Sequence, residues 1–124
     1  MARPLFSIII TSHNQFDFVA ATVWSALTQE NSDREIIMVD DASTDSSFEL
    51  LGAFDNETQL IRMESNQGMC GARNAGADAA SGKYLAFLDG DDLLKPWALI
   101  LANMAWFREE APQPCSSIHP LKWT

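Results

Sequence analysis

The apolar positions of the chain alternate between two spacings. Pro4 to Thr11 is short, β-branched and almost wholly apolar, the pattern of a strand covered on both faces. From Phe16 the spacing lengthens: Phe16, Val19, Ala20, Val23, Ala26 and Leu27 fall on one stripe of a helix, with Trp24 also fitting a packed helix. Asn14 or Ser12 is available to cap its start, and it ends before Asn31-Ser32-Asp33. Glu35 to Val39 reads as a second buried strand, and Ser46 to Phe54 as a helix opened by Ser43-Thr44-Asp45. Leu60 to Met63 is a weaker third strand. The small-residue stretch Gly71 to Ala80 has helical composition, with Gly82 placed where a helix stops. Tyr84 to Leu88 is a fourth strand, and Pro96 suits the first turn of a last helix over Trp97 to Arg108. On that helix Trp97, Met104, Trp106 and Phe107 have the spacing of core residues rather than of a sugar platform.

Strands alternating with helices predict an α/β fold, a mostly parallel sheet with helices on both faces. The chain of 124 residues falls within the size of one domain, expected over residues 1–110. Residues 111–124 hold three prolines and no clear period, and are expected to be an irregular tail.

Charge and cysteine content narrow the function classes. Eight basic against seventeen acidic residues give a net charge of −9, which disfavours nucleic acid and anionic membrane surfaces as partners. Cys70 and Cys115 sit in no CxxC pair and beside no His ligands, so zinc is not expected. No apolar run of about 18 residues suggests a membrane span, and nothing marks a secretory leader. A cytoplasmic protein with free thiols is the expectation.

In a parallel sheet the residues that follow the strands gather along one edge, where open α/β sheets usually bind ligands. Asp40, Asp41, Asp89, Asp91 and Asp92 all follow strands, so their carboxylates can face one crevice. Two such groups about 4 Å apart, at an effective dielectric near 20, repel by roughly 4 kcal/mol, which a cation removes. Hard oxygen ligands favour Mg²⁺ or Mn²⁺, with water and substrate phosphate completing the shell. In Asp89-Gly90-Asp91 the glycine is expected to permit an unusual turn that aims both acids at one place. An acid of Asp40-Asp41, Asp40 by preference, can accept the imide N–H of a uracil-like base or hold a ribose hydroxyl. Ser43, Thr44 and Asp45 are better read as caps.

Asn66 to Gly76 is a Gly-rich loop entering a helix whose N-terminus could receive phosphate. There Arg73 is either a phosphate donor or a salt-bridge partner of Asp40 or Asp91. The spacing of Gly68, Gly71 and Gly76 is not that of a dinucleotide-binding loop, and no Walker lysine is present. His13 could stack on a base or sit neutral in a loop.

Ser7 to Asn14, Ile37 to Asp45, Asn66 to Gly76 with Ala72-Arg73-Asn74, and Gly82 to Asp92, in this order, closely resemble glycosyltransferase family 2. The resemblance implies a Rossmann-like GT-A fold, a nucleotide-diphosphate sugar donor, usually UDP-linked, and transfer to an acceptor hydroxyl with inversion, in glycan or polysaccharide synthesis. It assigns Thr11, His13, Asp40, Arg73 and Asp89 to the nucleotide. Asp91 and Asp89 match the metal-binding DxD, with Asp91 the likelier direct ligand, although the family more often has Tyr where His13 stands. It also implies that the general base comes from a second half of the domain, expected beyond Thr124, leaving here mainly the donor-binding half. A non-catalytic binding or assembly module with the same fold is the alternative, and a nucleotidyltransferase, whose basic Gly-rich loop is not seen after Ile10, a weaker one.

Overall fold

Every residue of β1 (Phe6–Ser12) is buried, because this strand lies in the middle of the sheet between β2 (Arg34–Asp40) and β4 (Tyr84–Asp89), parallel to both. The apolar run read as doubly covered is therefore the central strand. β3 (Gln59–Arg62) pairs in parallel with the far side of β2. β5 (Ile118–Pro120) runs antiparallel along β4, and the order is β3-β2-β1-β4-β5. The structure is a computed structural model and describes residues 4–30, 33–54, 58–106 and 118–120. Most of the expected irregular tail lies outside these residues, and its described part is the strand β5.

Alternation along β1 feeds two cores. Phe6, Ile8 and Ile10 point to one face, where Val19, Val23 and Ala26 of α1 (Phe16–Leu27), Leu51 of α2 (Ser47–Gly52) and Leu99 of α4 (Ala98–Trp106) cover them. Ile9 points to the other face with Ile37 and Val39, under Ala72 of α3 (Gly68–Ala79). Each such side chain, fully buried, contributes about 1.5–3 kcal/mol. α3 lies so close to the sheet that a Cβ added at Gly76 would come 2.4 Å from Ile9 Cγ2 and 3.3 Å from Val39 Cγ2. This approach accounts for the small-residue composition of the helix.

The structure corrects several expectations. Phe16 is exposed and Trp24 is 62% exposed, so neither belongs to the core. The buried stripe of α1 instead includes Thr22, whose hydroxyl donates to the Gly90 carbonyl at 2.9 Å. Neither Ser12 nor Asn14 caps α1; Gln15 precedes it, and the Phe16 N–H reaches Asp45 Oδ2 at 3.4 Å. α3 begins at Gly68 rather than Gly71. Trp97 is 50% exposed, not core, and the Met104, Trp106 and Phe107 side chains lie outside the described residues.

At the amino-terminal edge of the sheet Glu35 ties three strands together. Its Oε2 accepts from the Ser7 hydroxyl, from the Ser81 N–H at 2.6 Å and from the Ser81 hydroxyl at 3.0 Å, while Ser7 Oγ accepts from Gly82 N–H at 2.8 Å. Burial pushes the Glu35 carboxyl up, but the hydrogen bonds from Ser7 and Ser81 together outweigh it and hold the group below its ordinary value. Among the described residues no helix is long and apolar enough to cross a membrane.

Candidate functional site

Because β1, β2 and β4 run the same way, their carboxyl ends open on one edge, and a crevice of about 360 Å³ lies there. Thr11, Ser12 and His13 line it from β1, Asp41 from beyond β2, Asp89 and Asp91 from β4, and Asn66, Gly68, Met69 and Ala72 from the α3 side. Carboxylates far apart in the chain are thus brought to one rim, as the common strand direction requires.

Asp40 and Asp41 divide differently from the sequence expectation. Asp40 stays in register with the strand, paired with Ser12, is fully buried and does not line the crevice. Its Oδ2 accepts from the Ser43 N–H at 3.0 Å, while Oδ1 is buried without a hydrogen-bond partner. Asp41 has left the strand and faces the crevice. Its Oδ1 accepts from Gln67 N–H at 2.8 Å and its Oδ2 from Gly68 N–H at 2.9 Å. A carboxylate therefore already occupies N–H groups at the positive end of α3 that the sequence reading offered to phosphate. Ala42, between Asp41 and Ser43, makes the turn at φ +57°, a left-handed conformation costly for any residue with a Cβ.

His13 stands at the meeting point of three loops. Its Nδ1 lies 2.7 Å from the Asp41 carbonyl oxygen, which can only accept, so Nδ1 carries a proton. Nε2 faces the side-chain amides of Asn66 at 3.2 Å and Asn14 at 3.4 Å. Those amides are fixed in orientation, because Asn66 Oδ1 accepts from Gly68 N–H at 2.9 Å and Asn14 Oδ1 from Thr44 N–H at 2.7 Å. Nε2 is therefore an acceptor.

On the opposite rim Asp89 Oδ1 receives the Thr11 hydroxyl at 3.5 Å and an Arg73 guanidinium N–H at 3.3 Å. Arg73 makes a salt bridge, but with Asp89 rather than with the expected Asp40 or Asp91. Arg73 itself does not line the crevice. Gly90 does not adopt a left-handed turn; a Cβ there would lie 2.6 Å from Gln15 Oε1 and 3.0 Å from the Thr11 carbonyl, so the glycine packs closely against the end of β1. One carboxylate oxygen from each of Asp89, Asp91 and Asp92 lies within 4.8 Å of the others. This all-oxygen, charged donor set fits a hard divalent cation.

Asp41 is the lining acid that the sequence reading passed over in favour of its neighbour. The signal was present in the polar start of α3, where Gln67 gives no side-chain cap and Asp41 joins Asn66 Oδ1 in accepting from the Gly68 N–H. Ser12, Gln15, Asn66 and Met69 were also not singled out.

Fold and site together define an α/β domain whose acid-rimmed crevice lies at the carboxyl ends of parallel strands. The sequence matches the profile of Glycosyl transferase family 2 over residues 7–110, and the chain belongs to that family. It is 40% identical over 96 residues to the putative teichuronic acid biosynthesis glycosyltransferase TuaG of Bacillus subtilis, covering 75% of this chain and 38% of that protein. It is 42% identical over 90 residues to the UDP-Glc:alpha-D-GlcNAc-diphosphoundecaprenol beta-1,3-glucosyltransferase WfaP of Escherichia coli, covering 71% and 36%. The chain thus spans well under half the length of these relatives. The crystal structure of S. aureus TarS 1–349 in complex with UDP has a TM-score of 0.75 and 26% identity to it, over 81% of this chain and 31% of that one. The mannosyltransferase PcManGT from Pyrobaculum calidifontis, solved with GDP-Man and Mn²⁺, shares the fold with a TM-score of 0.71 at 23% identity, over 83% and 32%. The architecture is the GT-A arrangement, with its mostly parallel sheet between helices.

Proposed function

We propose that this chain is the donor-binding part of an inverting, metal-dependent glycosyltransferase that takes a UDP-linked sugar donor and serves transfer to an acceptor hydroxyl in glycan or polysaccharide synthesis. The observation that carries the reading is that Asp41 from the β2 end and Asp89 with Asp91 from the β4 end line one crevice. Family membership and the likeness to TarS, solved with UDP, support it.

Asp41, which lines the crevice, rather than Asp40, which does not, is then the acid that meets a donor N–H of the base. Each of its oxygens has one lone pair engaged by α3 and another left for the ligand. Thr11 and His13 form the adjoining wall, and Asp40 supports the turn through Ser43. Asp91 and Asp89 would hold Mg²⁺ or Mn²⁺, which would supply positive charge against a departing diphosphate. Asp91 is the more open of the two and the better placed to contribute a direct bond.

Titration with UDP tests the reading. Binding is expected in Mn²⁺, to weaken at least about tenfold when the metal is chelated, and to weaken likewise in Asp91→Ala. Equal binding with and without metal would sink the metal-dependent site.

A further inference from the structure

We propose that Arg73 is the stand-in cation of the metal-free site: Arg73 and a divalent ion exclude one another at Asp89, and arrival of the ion releases the guanidinium toward the crevice. Three observations carry this. First, Arg73 donates to Asp89 Oδ1, an oxygen of the same carboxylate that groups with Asp91 and Asp92. Second, the grip is weak. A guanidinium commonly meets a carboxylate through two parallel N–H bonds of about 2.7–2.9 Å, whereas here one N–H makes the contact at 3.3 Å. Third, Arg73 Nε is buried with no hydrogen-bond partner, and the group leans on the Phe87 ring with 5.6 Å from Cζ to the centroid. The side chain is thus held mainly by the one charge it neutralises.

A divalent ion among Asp89, Asp91 and Asp92 takes over that neutralisation and repels a guanidinium lying against the same carboxylate. Asp89, to which Arg73 is bonded, itself lines the crevice, so a released side chain has the crevice beside it. There it meets the anion that accompanies the metal. Cation and anion then bind cooperatively, and by linkage each strengthens the other by the same factor. The exchange at Asp89 stands on geometry alone; only the identity of the anion rests on the nucleotide-sugar reading.

The exchange is read by Mn²⁺ titration without nucleotide, following the paramagnetic resonance of the free ion, on chain shown by circular dichroism to be folded. Arg73→Gln is expected to bind Mn²⁺ at least about tenfold more tightly than wild type, with Arg73→Lys between them. The gain should vanish in Arg73→Gln/Asp89→Asn. Equal affinity in wild type and Arg73→Gln, including no measurable binding in either, overturns the proposal, as does a gain that survives loss of Asp89. A second titration with UDP present separates the two readings. UDP should strengthen Mn²⁺ binding more in wild type than in Arg73→Gln. If UDP binds neither protein, the nucleotide-sugar reading falls while the metal-only comparison still decides the exchange.

Discussion

Asp41 at the end of β2 and Gly68 at the start of α3 are joined by a charge-assisted hydrogen bond of 2.9 Å, with a second bond to Gln67 at 2.8 Å beside it. One carboxylate therefore caps a helix and lines the crevice at once. Asp41→Ala leaves the Gln67 N–H without its partner and the Gly68 N–H with Asn66 Oδ1 alone, and an expected loss of about 1 kcal/mol follows. Urea unfolding measures it. UDP titration should show weakened binding in the same variant, and unchanged stability would show that water caps α3 equally well.

Ala42 pays for the turn that aims Asp41, holding φ +57° with a Cβ present. Glycine adopts this conformation without steric penalty, at some cost in unfolded-chain entropy. Ala42→Gly is expected to stabilise the protein by up to about 1 kcal/mol. A lower midpoint in denaturant would contradict the strain.

The close approach of α3 to the sheet makes the opposite case at Gly76. A methyl group there meets Ile9 Cγ2 at 2.4 Å, too near for either to remain in place. Gly76→Ala should cost about 1–3 kcal/mol through overpacking, despite alanine's better helix propensity. Thermal melting distinguishes the two terms by sign.

Glu35 gives the fold an acid-sensitive joint far from the crevice. Its carboxyl is lowered below the ordinary value of 4.5, so the folded state favours the charged form. The resulting stability is present above that value and is lost as pH falls through the folded one. Wild type should therefore lose stability more steeply than Glu35→Gln as pH falls below 4.5, and Glu35→Gln should be the less stable near pH 7. Parallel curves of melting temperature against pH would argue against the joint.

What the sequence disclosed depended on where each element found its partners. β1, β2 and β4 were legible because strands buried on both faces read as unbroken apolar runs. The α3 boundary was not, because its cap comes from Asp41, 27 residues upstream of Gly68. Periodicity placed Phe16 in the α1 core and passed over Thr22, since the Gly90 carbonyl that makes a buried hydroxyl acceptable is 68 residues away. The acidic rim was visible as a set, yet choosing between Asp40 and Asp41 needed the strand register, which keeps Asp40 opposite Ser12 and lets its neighbour turn out. Arg73 was open between two roles until the fold supplied Asp89.

The contacts among His13, Asn14 and Asn66 have a mechanical consequence. Asn14 accepts from Thr44 and, through its own N–H, donates to Ser43 Oγ at 2.9 Å, while His13 joins the Asp41 carbonyl to Asn66. The segments after β1, β2 and β3 are therefore cross-linked into one wall of the crevice by side chains rather than by sheet pairing. On the opposing wall after Asp89, Asp91, Asp92 and Leu93 are exposed and carry no such lacing among the described residues, so under the proposed function a change of donor meets the less constrained side there.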